Sequence, residues 1–221
     1  MDSVKISDEL LIPAGRHTLE PDEVSARQRE RLLRAMGRCV SEQGYVETTI
    51  ADVVRYARTS RSVFYKHFAD KEECFLETYR RMTEVRIEAS LGAAAEVADW
   101  DAKLDIGIET YFRWMAEHPE VAVTTVVEVH CAGRAAQEQR SRALWDWMRT
   151  VQGVAVLARK AGVDVRIDET AALAIIVTAE AYVHEYARKR RLDEVVEKTE
   201  AVQALARSLF ERGTAKAGKP A

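Results

Sequence analysis

The 221-residue sequence predicts an all-α fold, and three observations predict it. Apolar residues recur three and four apart through almost every segment beyond residue 25, the spacing that gathers them on one face of a helix. Several of those segments open on Ser, Thr or Asp, whose side chains satisfy the free N–H groups of a first helical turn. One stretch alone, residues 121–130 (VAVTTVVEVH), has the β-branched composition of a strand, and a single strand without a partner does not hold.

Taken in order, residues 1–25 carry Pro13, Gly15 and Pro21 with little periodicity and are predicted as an N-terminal arm. From about Ser25, the residues Leu32, Met36, Cys39 and Val40, with Gln43 closing the register, mark a helix that Gly44 stops. Thr49 with Asp52 three residues on makes a capping-box start, and Ile50, Val53, Val54 and Ala57 form the stripe of a short helix. Only Arg58, Thr59 and Ser60 separate it from a third helix, which Ser60 caps. Helix, short helix, tight turn and helix over residues 26–70 have the spacing of a helix-turn-helix.

Asp70 with Glu73 then caps a longer helix bearing Phe75, Tyr79 and Met82. Further helices follow on Leu104, Ile108, Tyr111 and Met115, on Leu144, Met148, Val151 and Ala155 as far as Gly162, from Asp168 to about Arg190, and from Asp193 to about Arg212. Residues 121–130 are predicted as a buried helix with Pro119 in its first turn. Residues 71–212 thus make a larger helical domain, and residues 213–221 (GTAKAGKPA) a disordered tail.

The charge is divided. The whole chain carries a net −3, yet residues 26–68 hold nine Arg and Lys against four Asp and Glu, which leaves −8 for the rest. That asymmetry suits a small nucleic-acid-contacting module on an acidic body. Cys39, Cys74 and Cys131 are odd in number and in no CxxC arrangement, as expected of reduced thiols in a cytoplasm. No run of about 18 apolar residues predicts a membrane span. No nucleophile elbow, phosphate loop or spaced catalytic trio points to an enzyme, and His130, Cys131 and His184 have no recognised metal-ligand spacing. Neither a metal nor a cofactor is predicted.

Residues 59–68 (TSRSVFYKHF) concentrate bases, hydroxyls and aromatics. Phe64 and Phe68, four apart, continue the apolar stripe and face inward, whereas Arg61 with Tyr65 and Ser62 with Lys66 fall beside it and face outward. Such a face suits either an ordinary solvated helix or one that meets phosphates and base edges.

The run from Gly44 to Lys71, GYVETTIADVVRYARTSRSVFYKHFADK, resembles the DNA-binding domain of TetR-family transcriptional regulators. The shared features are a glycine, Thr-Thr before the second helix, Ala before the turn, Ser at its end, then aromatic-Tyr-x-His-Phe and Asp-Lys. The likeness covers about residues 27–80. It implies that Thr49 touches phosphate, that Arg61 and Ser62 face the major groove, and that Tyr65, Lys66 and His67 hold the DNA backbone, with Lys71 at the next helix. Thr49 as a mere cap and His67 as a packing residue are the plainer alternatives. The turn residues Arg58, Thr59 and Ser60 complete the predicted contact set with Val63, which either meets a thymine methyl or packs. The family usually has Gly where this chain has Arg58; in a left-handed turn a non-Gly residue costs about 1–2 kcal/mol, so either the turn differs or Arg58 is compensated. In the arm, Arg16 and His17 are candidates for the adjacent minor groove, against a loosely ordered leader.

The resemblance also implies a ligand pocket in the helical body and a dimer made by the last two helices. The segment ETAALAIIVTAEAYVHEYA is apolar nearly all round, and the last helix carries its own stripe, so Ile176, Val183, Val195, Val202, Leu205 and Leu209 are predicted at a homodimer interface, with the chain's own core as the competing use. Two recognition helices about 34–36 Å apart would then read a palindromic operator in double-stranded DNA. For the pocket, Tyr111, Phe112, Trp114, Met115, Trp145 and Met148 are the aromatic and soft candidates, and Glu128, Thr178, Glu180 and His184 the polar ones, with His130 beside them. Large apolar groups with few polar ones suit a lipophilic small-molecule effector. The competing classes are a DNA-binding module without an effector and an enzyme that uses the same pocket.

Overall fold

The computed structural model describes residues 20–212. Helix α1 (Pro21–Gln43) begins four residues earlier than its stripe suggests, because Pro21 opens the helix with Asp22 and Glu23 in the first turn. It is followed by α2 (Ile50–Tyr56), α3 (Arg61–His67) and α4 (Lys71–Ala95). Next come α5 (Trp100–Glu117), α6 (Pro119–Ala122), α7 (Gly133–Lys160), α8 (Glu169–Arg188) and α9 (Thr199–Leu209). The predicted arm up to residue 19, with Arg16 and His17, and the predicted tail, residues 213–221, lie outside the described residues.

Residues 121–130 are helical, as expected, but not as one α-helix. After α6 the backbone widens into a π turn (Val123–Val127) and tightens into a 3-10 turn (Glu128–His130). Thr125 donates to the Val121 carbonyl at 2.8 Å, and Thr124 reaches the Gly37 carbonyl of α1 at 3.4 Å. The last predicted helix likewise divides, into a 3-10 stretch (Leu192–Lys198) and α9. Two short strands, β1 (Val165–Arg166) and β2 (Glu211–Arg212), pair antiparallel and tie the end of α9 to the α7–α8 connection.

Two main cores result. The N-terminal one gathers Leu32, Met36 and Val40 of α1, Val53 of α2, Phe64 of α3 and Phe75 of α4, closed from the other side by Val129, Ala132 and Ala136 of the body. The body core includes Leu104, Ile108 and Phe112 of α5, Ala158 of α7, and Ile175 and Val183 of α8. Helix α9 packs on α5, where Arg207 pairs with Asp105 and Gln203 donates to the Asp105 carbonyl at 3.0 Å.

That placement buries four of the six predicted dimer residues inside the single chain. Val183, Val195 and Val202 are fully buried within the single chain, and Ile176 joins Met148 and Ala172 in the seam between α7 and α8. Leu205 and Leu209 are half-buried, with Leu209 packed on the body core. Those four have nothing left for a partner to cover, whereas Leu205 and Leu209 keep part of their surface. Exposed apolar side chains include Leu173 and Val177 on α8, Trp145, Val156 and Leu157 on α7, and Val196 next to Val195.

Candidate nucleic-acid interface and effector cavity

Helix α3 has seven residues, too few to persist alone in water, and it is held from both ends and from beneath. The Ser60 hydroxyl accepts the Val63 N–H at 3.3 Å and lies 2.8 Å from the Ser62 hydroxyl. Phe64 and Phe68 are buried with ring centroids 5.6 Å apart. The opposite face carries Arg61, Ser62, Lys66 and Tyr65, the last 57% exposed. Val63 and His67 are half-buried at its margins. Sequence spacing therefore places the inward pair and the outward set as they stand.

The turn before it is a Schellman arrangement. Arg58 takes φ of +49°, its N–H bonds the Arg55 carbonyl at 3.2 Å, and the Thr59 N–H bonds the Val54 carbonyl at 2.9 Å. The left-handed residue is thus Arg58, where the family's glycine stands. Its compensation comes from Arg31 of α1, whose guanidinium donates to the Ala57 carbonyl and, at 2.7 Å, to the Arg58 carbonyl. Burial, and then the charge of Arg58, holds the Arg31 pKa below its ordinary value. Arg58 itself points outward, exposed.

Two of the predicted contact residues, Thr49 and Lys71, are hydrogen-bonded within the chain, and a third, His67, is half-buried without such a bond. Thr49 completes the α2 capping box: its hydroxyl donates to Asp52 Oδ2 at 2.6 Å and accepts the Asp52 N–H at 3.2 Å. These bonds lower the Asp52 pKa. Lys71 donates to the Tyr45 carbonyl at 2.9 Å and stands over the Tyr45 ring at 4.2 Å; burial lowers its pKa. His67 has its Nε2 buried without a hydrogen-bond partner, and burial, then Arg29 and Lys66, lower its pKa.

In the body, an apolar cavity of about 100 Å³ opens between α4, α5, α7 and α8. Ile87, Leu91, Ile108, Val151 and Ile175 supply most of its wall, Tyr111 and Trp147 its aromatic part, and Lys103 stands beside it with Nζ 2.8 Å from the Ala94 carbonyl. A more open, polar cleft lies between α1, α4 and α7, lined by Arg29, Glu77, Arg80 and Arg142. The apolar cavity is the better match for a small lipophilic molecule.

Of the ten sequence-predicted pocket residues, only Tyr111 lines this cavity. Phe112 and Met115 are buried in the core beyond it, Trp114 stacks on His118 with centroids 4.2 Å apart, and Met148 belongs to the α7–α8 seam. Trp145 is 49% exposed; the tryptophan at the cavity is Trp147, two residues and about 200° further round the helix. Thr178 and His184 are half-buried on α8 outside the lining, and Glu180 pairs with Arg140. Glu128 serves a joint: its Oε2 accepts the Tyr45 N–H at 2.8 Å, and a Cβ on Gly44, which has φ of +85°, would stand 3.3 Å from that oxygen. His130 is exposed, and among the described residues no group of three His, Cys, Asp or Glu is placed to hold a metal ion. Sequence reading missed the α4 lining, Ile87, Ser90 and Leu91, because α4 beyond Met82 has no one-sided stripe.

A helix-turn-helix module joined to a larger helical body by one shared helix defines the architecture. Residues 32–78 match the family of bacterial regulatory proteins, tetR family. The structure is similar to that of the fatty acid degradation regulator FadR from Bacillus halodurans, with TM-score 0.73, 15% identity, and coverage of 86% of this chain and 96% of that one. It is also similar to FadR from Bacillus subtilis in complex with stearoyl-CoA, with TM-score 0.72, 18% identity, and coverage of 80% and 96%. A TetR transcription regulator from Haloarcula marismortui gives TM-score 0.73, 15% identity, and coverage of 84% and 100%. No curated protein sequence matches the chain. A tetR-family DNA-binding module thus occupies residues 32–78, on a chain with the fold of these transcriptional regulators. No described helix is long and apolar enough to cross a membrane.

Proposed function

We propose that the protein is a homodimeric repressor that grips a palindromic operator through α3 and is released by a lipophilic effector bound in the α4–α5–α7–α8 cavity. The observation that carries this reading is α4 itself. Its first turns, through Cys74, Phe75 and Tyr79, belong to the DNA-binding core, and its last turns, through Ile87 and Leu91, line the cavity. An effector that favours one position of α4 therefore acts on the attitude of α3, and its differential affinity for the two positions sets how far the population leaves the operator. Stearoyl-CoA in the Bacillus subtilis FadR supports a lipophilic class of ligand.

In this reading residues 26–70 are the DNA-binding domain and residues 71–212 the effector and dimer domain. Arg61 and Ser62 read bases; Arg58, Thr59, Ser60, Tyr65 and Lys66 hold the backbone; Thr49 and Lys71 support it from their internal bonds, and His67 from its half-buried place at the margin of α3. The dimer forms on the outer faces of α7 and α8. The test is fluorescence anisotropy of the protein on DNA upstream of its own gene against random DNA, with and without salt. Operator binding should exceed random binding by about a thousandfold. Arg61→Ala should lose about 1–3 kcal/mol on the operator and little on random DNA. Equal affinities that fall together with salt would remove the sequence-reading role.

A further inference from the structure

Arg86 is buried in the body at 4% exposure, and among the described residues no carboxylate stands within ion-pair distance of it. Its Nε has no hydrogen-bond partner. Its guanidinium rests on two rings only, 5.5 Å from the Tyr111 centroid and 5.0 Å from that of Trp147. Both rings line the cavity, and the Tyr111 hydroxyl and the Trp147 Nε1 are themselves buried without partners. Ser90, one turn beyond Arg86 on α4, also lines the cavity with an unpartnered hydroxyl. The neighbouring charges are Arg140 and Glu180, which pair with each other through one guanidinium nitrogen, while the Arg140 Nε is also buried without a partner. Arg86 itself stands behind these rings, outside the apolar lining, so a buried cation with no anionic partner lies against the cavity wall. A buried charge left this way costs several kcal/mol, and an anionic oxygen is the group that relieves it.

We infer that the effector is an acidic amphiphile whose carboxylate docks on Arg86, Tyr111 and Trp147 while its hydrocarbon fills the cavity. This rests on the reading of the cavity as the effector site. The volume, about 100 Å³, is below that of an engineered cavity of about 150 Å³ that admits benzene, so a chain of eight carbons enters only as the helices part, and an 18-carbon chain needs a far larger opening. A free acid is favoured over its coenzyme A thioester, because the thioester carbonyl brings no charge to Arg86.

The experiment is calorimetry on the full-length protein with octanoate, octan-1-ol and octanoyl-coenzyme A. Octanoate should bind at least tenfold more tightly than octan-1-ol, and than the thioester. Arg86→Met should remove that preference while octan-1-ol still binds, which also shows that the variant is folded; Arg86→Lys should keep part of it. Gly107 lines the cavity and a Cβ there meets nothing within 4 Å, so Gly107→Leu should fill the space and abolish all binding. Equal binding of acid and alcohol, both lost in Gly107→Leu, would overturn the head-group assignment and leave the effector cavity standing. A preference that survives Arg86→Met, or vanishes in Lys103→Met instead, would also overturn it by moving the carboxylate to Lys103. Absence of binding by every probe would overturn both readings.

Discussion

Arg58 shows how a residue in a costly backbone state is kept. Its left-handed φ is the position that favours glycine, and the chain retains Arg there because Arg31, 27 residues earlier, donates to the carbonyls of Ala57 and Arg58 from a buried site. Charged hydrogen bonds of that kind contribute about 1.5–3 kcal/mol each. Arg31→Met is expected to lower the unfolding free energy by about 2–3 kcal/mol, measured by urea denaturation. Arg58→Gly in that background should recover about 1 kcal/mol by removing the steric penalty. A single Arg31→Met protein with unchanged midpoint would show the carbonyls to be satisfied by water. Arg86 is the opposite case, a buried cation that the chain itself leaves uncompensated.

At the scale of the element, α3 depends on tertiary anchors. Phe64 is fully buried and Phe68 nearly so, and a seven-residue helix has no stability of its own. Phe64→Ala is expected to cost about 3–5 kcal/mol, read by thermal or urea unfolding, and to abolish binding to operator and random DNA alike. A well-folded Phe64→Ala protein that keeps operator binding would mean that α3 is held by its caps alone. The π turn after α6 is the second notable element. It carries Thr124 to α1, and the 3-10 turn after it places Glu128 against the Tyr45 N–H, so the body meets the DNA-binding core through a segment that departs from α-geometry. Such bulges are frequent at functional sites.

For the whole molecule, α4 spans 25 residues, about 37 Å at 1.5 Å per residue, and joins the two cores as one lever. The second molecular-scale feature is the outer face of α7 and α8, where Trp145, Val156, Leu173 and Val177 stay exposed beside the Met148–Ala172–Ile176 seam. A double substitution Trp145→Glu and Val177→Glu is expected to convert a dimer to a 24.9 kDa monomer in light scattering and to weaken operator binding at least tenfold. An unchanged mass would move the interface off this face.

How much of this was legible in the sequence follows from the range of each interaction. Local signals sufficed for the helix-turn-helix: the Thr49–Asp52 box, the Ser60 cap and the Phe64–Phe68 pair are contacts within four residues, and each stands as its spacing predicts. Helicity of residues 121–130 was legible from Pro119 and the missing partner strand, but its π geometry was not. The body was harder, because an α-helix apolar on most sides carries no mark of which side meets core, cavity or partner. Val183, Val195 and Val202 therefore looked available for a dimer and are spent inside the chain, while Trp147 and not Trp145 reaches the cavity. The sequence by itself determined the helical class, the DNA-binding module and its outward face, since those rest on periodicity and capping. Only the tertiary structure decided that Arg31 compensates Arg58, that Glu128 joins the two cores, and that Arg86 stands uncompensated behind two rings of the cavity wall, because each depends on residues that share space and not sequence.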